Sequence, residues 1–259
     1  MLIDTNSHIN DEKLVDTLDD ILNNLSAGRV RGVICPSCSL SGCASSLKVA
    51  QNGRVWAALG IHPENCAEFD KAAYDWLDNA LSNDKVVAVG EIGLDYHYGT
   101  HDRDLQHKVL SLQLDLAIKH DLPVVFHMRD AWDDCLKILK EYRGKIKRGV
   151  IHCFDGNSDI ARQIIDLGYY ISVTGLITYP KNDSVRESIK IIPHDRLMVE
   201  PDAPYLAPQK YRGKTNRPEY VTEVADMVAS LWELDSNTTD EILTQNAKKF
   251  YGIKEKNIE

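Results

Sequence analysis

The chain has 259 residues, 39 acidic and 30 basic, for a formal net charge of −9. Its 43% hydrophobic and 27% charged content is that of a folded globular protein, which excludes a disordered or fibrous chain. The acidic balance excludes a protein that grips nucleic acid by bulk positive charge, but not an enzyme in which divalent cations supply the charge that phosphates need.

The chain enters a strand-like run at once, Leu2-Ile3-Asp4, with no basic segment and apolar stretch of a secretory signal before it. Further short apolar runs rich in Val and Ile follow at 32–35, 55–60, 86–90, 123–126, 149–151, 169–173 and 197–199. They are continuous rather than alternating, the pattern of strands buried on both faces of a parallel sheet. Helical spacing fills the gaps. In 102–120, Leu105, Val109, Leu112 and Leu116 form one stripe, and 131–142, 158–167, 184–192 and 219–231 read similarly. Thr238, with Glu241 three residues on, reads as the cap of a last helix. The stretch 204–218 is the longest expected loop. Eight strand–helix units predict a (β/α)8 TIM-type barrel spanning 1–259 as a single domain; no GxGxxG or P-loop supports an open doubly wound sheet. No run approaches the ~18 to 20 apolar residues of a membrane span. Six sparse cysteines read as reduced thiols of a cytoplasmic protein. Cys35-Pro36-Ser37-Cys38 with Cys43 lacks a second pair or a histidine at zinc-finger spacing, so it reads as a strand end and loop that happen to carry thiols.

The polar residues at the run ends carry the functional signal. The first run leads to Asn6 and His8, and the others end in His62, Glu91, His127-Met128-Arg129, His152 and Asp202. Strand C-termini of a parallel barrel open on one face, so these residues converge. Singly, each reads as a cap or core residue. Jointly, imidazoles and carboxylates at buried strand ends are costly unless paired or metal-bound, and they can hold one or two divalent ions with a shared Glu between them. His107 and His120 read as a solvated helix face, and His97 and His101 as surface.

The motifs Ile3-Asp4-Thr5 with His8, Gly60-Ile61-His62-Pro63, Gly90-Glu91-Ile92-Gly93-Leu94-Asp95-Tyr96, His127-Met128-Arg129-Asp130, His152-Cys153-Phe154 and Asp202-Ala203-Pro204-Tyr205 resemble the TatD family of metal-dependent deoxyribonucleases, from the first strand to the last. The resemblance implies a site for one or two divalent metals, with Glu91 bridging, His127 and His152 holding one ion, and His8 and Asp202 helping to hold the other. It implies hydrolysis of DNA phosphodiesters by a metal-activated water, exonucleolytic in the 3′→5′ sense on single strands, with nucleic acid as substrate and no obligate protein partner. Asp202 would take the proton of the water, His62 would act on the phosphate, Arg129 would clamp it, and Tyr96, Tyr98 or Tyr205 would stack on bases.

Four positions depart from the family pattern. Asn6-Ser7-His8 stands for the usual HxH, and an amide oxygen suits Mg²⁺ or Mn²⁺ better than Zn²⁺. Glu200-Pro201-Asp202 stands for Glu-Thr-Asp, Asn216-Arg217-Pro218 for Asn-Glu-Pro, and Asp155 for a small Ser. Two other readings stay open: a metal-dependent ester or amide hydrolase, such as a D-aminoacyl-tRNA deacylase, and a degenerate non-catalytic barrel.

Overall fold

The structure, a computed structural model, describes residues 1–97 and 102–254. Eight strands, β1 Leu2–Asp4, β2 Val30–Pro36, β3 Val55–Leu59, β4 Val86–Asp95, β5 Val124–Arg129, β6 Gly149–Ile151, β7 Tyr170–Val173 and β8 Leu197–Val199, pair in parallel and in sequence order. Beyond their ends the first and last strands meet: Thr5 Oγ1 donates to the Val199 carbonyl at 3.0 Å, His8 N–H to Ala203 at 2.7 Å, and Asp202 N–H to Asn6 at 3.1 Å. The seam of the TIM-type barrel is thus made by the segments that carry Asn6, His8 and Asp202.

One buried layer lies between the strands and the surrounding helices. A second, with Ile3, Ile34, Trp56, Ala88, Val125, Val150, Tyr170 and Met198 from the eight strands in turn, fills the barrel. Phe250 and Tyr251, at the end of the helix Ser236–Tyr251, join this inner layer. Fully burying such side chains contributes about 1.5–3 kcal/mol each. At Gly93 an added Cβ would sit 1.8 Å from the His127 carbonyl oxygen, so only glycine lets β4 and β5 approach this closely beside the site.

The strand runs read from the sequence overlap β1–β8, but β2 starts two residues before Gly32, β5 continues three residues past Phe126, and β4 continues five residues past Gly90, where Ile92 and Leu94 are buried as well. The stretches read as helical correspond to Arg103–His120, Trp132–Glu141, Ser158–Asp166, Asp183–Ile191 and Val221–Trp232, the last two each reaching one residue beyond the expected bounds. Four more α-helices among the described residues, Glu12–Val15, Leu18–Ala27, Leu40–Val49 and Lys71–Ala80, lie where no individual helix was expected. Two expectations are corrected. The last helix starts at Ser236 on Asp235, whose carboxylate accepts from the backbone of Asn237 and Thr238, so Thr238 lies inside the first turn. In Arg103–His120, Leu105 and Leu112 are only half-buried. The inward positions include Gln106 and Gln113, which bond both backbone groups of Asp95 and of Ile61. Polar side chains face inward there because the strand-end loops leave backbone groups to satisfy. Among the described residues no helix is long and apolar enough to cross a membrane.

Candidate metal centre

The C-terminal mouth of the barrel encloses a cavity of about 790 Å³, lined among others by His8, His62, Glu91, His127, His152 and Asp202. Glu91, on β4, lies at its base. Its Oε1 is 3.3 Å from His8 Nε2 and accepts from Asn6 Nδ2 at 2.7 Å; its Oε2 is 3.8 Å from His152 Nε2. Asp202 Oδ1 stands 3.6 Å from His8 Nε2 and 3.4 Å from Asn6 Nδ2. His127 Nδ1 faces His152 Nε2 at 3.2 Å, and the His62 and His127 rings are 4.1 Å apart. All the metal candidates read from the sequence therefore meet in one place. Arg129 and Tyr205 also line this cavity.

Carboxylates hold the outer sides of these imidazoles. Asp95 Oδ2 is 3.0 Å from His127 Nε2, and Glu200 Oε1 is 3.2 Å from His152 Nδ1. Glu200 is buried and further held by Cys153 N–H at 2.8 Å, Ser172 Oγ at 2.8 Å and Thr5 Oγ1 at 3.3 Å. Asp4 accepts from Asn6 N–H and the Ser7 hydroxyl, fixing the turn out of β1. Cys153 and Asp202, next to or in the ligand set, have φ of 48° and 57°, left-handed values that hold ligand segments in a bent path.

Burial works against charge on the Glu91 carboxylate, but His152 and His8 hold it well below the usual range. Burial works likewise against Asp95, yet its bond with His127 brings it to about 2. Burial, reinforced by His127, pushes His62 well below the usual imidazole value, so it is neutral. Its Nδ1 accepts from Glu64 N–H at 3.2 Å, capping the short 3-10 helix Pro63–Glu68, which leaves the proton on Nε2.

This donor set fits divalent cations. Glu91 is common to two groups of three whose ligand atoms lie within 4.8 Å of one another, His8 with Cys38 and His127 with His152; a third joins His62, Asp95 and His127. The fully buried Asn6 Oδ1 has no hydrogen-bond partner among the described residues. Buried carboxylates at this density require compensating positive charge. His127 and His152 each have the outer nitrogen fixed by a carboxylate, the arrangement that orients a metal-binding histidine.

Sequence reading gave no role to Asp95, Glu200 or Cys38. Asp95 stood inside a quoted motif and Glu200 two residues before Asp202; carboxylates flanking a strand end were the available signal. The cysteine segment divides. Cys35 and Cys43 are buried and bonded to Ser46 and Ser37, whereas Cys38, in the loop after β2, sets its Sγ 3.9 Å from Glu91 Oε2. Tyr96 is engaged by His107 and Asp134 beneath Arg103, and does not line the cavity. His107 is thereby tied in place rather than solely solvated, and His120 pairs with Asp78 at 2.7 Å. His97 is exposed and pairs with Asp130. Tyr98 and His101 lie outside the described residues. Arg217 pairs with Glu219 at 2.6 Å, and Asn216 holds the loop through the Pro201 and Tyr205 carbonyls. Asp155 lines the cavity, and burial raises its carboxyl above the usual value.

The sequence profile of the family described as TatD related DNase matches residues 3–252. The chain is 34% identical over 254 residues to the uncharacterized metal-dependent hydrolase YabD of Bacillus subtilis, covering 98% of this chain and all of that protein. It is 32% identical to the metal-dependent hydrolase YcfH of Escherichia coli, over 97% of this chain and 96% of YcfH. The crystal structure of YjjV, a TatD homologue from E. coli, superposes with a TM-score of 0.92 at 31% identity, covering 98% of each chain.

Proposed function

We propose that this chain, which belongs to the TatD-related DNase family of metal-dependent hydrolases, is a nuclease that cleaves DNA phosphodiester bonds, removing nucleotides 3′→5′ from single strands. The observation that carries the reading is Glu91, one carboxylate within reach of two separate ligand groups at the floor of an open cavity. In this reading Glu91, His127 and His152 would hold one divalent ion, and Glu91, His8, Asp202 and Asn6 would hold a second. The oxygens of Glu91, Asp202 and Asn6 suit Mg²⁺ or Mn²⁺, and imidazoles accommodate these and softer ions. Bound there, the ions acidify water and neutralise charge on the phosphate oxygens.

The chain's own groups supply the rest. Asp202, held between Asn6 and His8, orients the attacking water and accepts its proton. Neutral His62 donates its Nε2 proton in a hydrogen bond to a phosphate oxygen. Arg129, half-buried on the cavity wall, receives a neighbouring phosphate through its planar fork. Tyr205 is 45% exposed, and its ring, steadied by the bond from its hydroxyl to Asp11, offers a platform for an unstacked base.

The test is digestion of single-stranded DNA labelled at either end, with Mg²⁺ or Mn²⁺, beside RNA and a D-aminoacyl-tRNA. The reading expects the DNA to shorten from its 3′ end with the wild type and to stay intact with Glu91→Ala. Release of the amino acid from tRNA with no cleavage of DNA would replace it with the ester-hydrolase reading. Absence of every activity from a metal-loaded protein would favour the non-catalytic barrel.

A further inference from the structure

The half of the site built by β1 has an unusual composition. Asn6 is fully buried among Glu91, His152 and Asp202, but it meets Glu91 through its amide nitrogen at 2.7 Å. That bond occupies the amide nitrogen and leaves the unpartnered Oδ1 as the atom Asn6 could offer a cation, a single neutral oxygen in place of an imidazole. This leaves His8 as the imidazole on that side, with Glu91 and Asp202.

Cys38 offers a further donor on this side. It follows β2 at the same mouth of the barrel and lines the cavity. Its sulfur, a His8 ring nitrogen and a Glu91 oxygen all lie within 4.8 Å of one another. The backbone is fixed there from two directions. The Cys38 carbonyl accepts from His62 N–H and from Asn65 Nδ2, both at 2.9 Å, and the preceding Ser37 carbonyl accepts from Glu91 N–H at 3.0 Å. The loop that carries the thiol is thus bonded to the segments that carry Glu91 and His62, so little ordering remains when a cation binds. Neither Cys35 nor Cys43 shares this setting, which rules out a paired-thiol reading of the motif.

We propose that Cys38 is a metal ligand, completing with His8 and Glu91 a sulfur-containing cation position beside Asn6. This rests on the reading that Glu91 and His8 bind metal. A thiolate selects borderline and soft ions, Zn²⁺, Co²⁺ or Fe²⁺, over Mg²⁺, so this position differs in preference from an all-oxygen one. On binding, the sulfur–metal bond forms and the thiol proton leaves to solvent.

The experiment is titration of the metal-free full chain with Co²⁺, following bound metal by equilibrium dialysis and the ultraviolet sulfur-to-cobalt charge-transfer band. The wild type develops the band as Co²⁺ binds, Cys38→Ser binds without it, and Cys153→Ala, which alters another thiol lining the cavity, keeps it. Cys38→Ser also weakens retention of Co²⁺ at that position by more than about a hundredfold, beyond the loss expected of a group behind a ligand. Independently of any variant, bound Zn²⁺ protects Cys38 of the wild type from iodoacetamide, read by peptide mass spectrometry. Co²⁺ bound to wild type, weakened by Glu91→Ala and lacking a sulfur band, overturns the role of Cys38 while leaving the metal centre standing. No Co²⁺ bound at all overturns both.

Discussion

His127 Nδ1 and His152 Nε2 face each other across 3.2 Å while Asp95 and Glu200 hold the far nitrogen of each ring. If each ring donates outward to its carboxylate, two lone pairs point into the same space. Only a shared proton or a cation makes that arrangement favourable.

Removal of either outer carboxylate therefore acts on the metal without touching it. Asp95→Ala and Glu200→Ala are each expected to weaken metal affinity by about 10- to 100-fold, measured by competition with a chelator. Glu200→Ala carries a second cost, because it strands the Cys153 N–H and the Ser172 hydroxyl, about 1–3 kcal/mol for each buried group left unpaired. Its unfolding midpoint should fall further than that of a Glu200→Gln protein. Unchanged affinity in both alanine proteins would show that the two carboxylates serve the fold alone.

The same geometry predicts a pH dependence. Burial disfavours the His152 imidazolium, but Glu91 and then Glu200 outweigh it and push its pKa up to about 9 from 6.5. In the metal-free protein the ring is thus protonated at neutral pH, and a cation must displace that proton. Affinity should climb by up to about tenfold per pH unit for each proton displaced, and this contribution levels off near pH 9. The metal-free protein behaves in the opposite sense. The stability it gains from this imidazolium is complete below the ordinary value and disappears as pH rises through about 9. Calorimetry in buffers of different ionisation enthalpy counts the protons released; no release at neutral pH would sink this assignment.

Much of this architecture was legible from the chain alone, because a parallel barrel writes itself twice. Its strands are buried on both faces and so read as continuous Val- and Ile-rich runs, and its site residues follow those runs directly. That rule singled out His8, His62, Glu91, His127, His152 and Asp202, which the fold brings to one cavity. The residues it missed act at one remove. Asp95 lies within a strand that continues past its expected end, and Glu200, two residues before Asp202, looks like a duplicate carboxylate. Cys38 occupies a loop whose direction depends on bonds to Glu91 and His62, distant in sequence. Gln106 and Gln113 were hidden for a different reason: hydrophobic periodicity places polar residues outside, yet these two face inward to satisfy loop backbone.

Those glutamines give a test of how the helix Arg103–His120 supports the site. Gln106 bonds the N–H and carbonyl of Asp95, and Gln113 those of Ile61, next to His62. Gln106→Leu keeps the size of the side chain but leaves two buried backbone groups unpaired, so a loss of roughly 2–4 kcal/mol is expected from denaturant unfolding. Because Asp95 orients His127, metal affinity should fall along with stability. For an exposed control, Ser111→Ala on the same helix should change neither by a measurable amount.

Asn6 and Cys38 make the sharpest pair. Asn6→His would place a second imidazole on the His8 side of Glu91 at the expense of the amide–carboxylate bond, and is expected to tighten divalent metal binding, most for Zn²⁺ and least for Mg²⁺. If the thiol and the new imidazole supply the same missing donor, their effects cannot add. Asn6→His should restore most of the Zn²⁺ affinity that Cys38→Ser loses, while improving the wild type by far less. Side chains this close to one carboxylate should show a coupling of about 0.5–3 kcal/mol in a double-mutant cycle. Strict additivity of the two changes would mean that sulfur and imidazole occupy unrelated positions, and that the cation on this side of Glu91 takes its ligands from elsewhere.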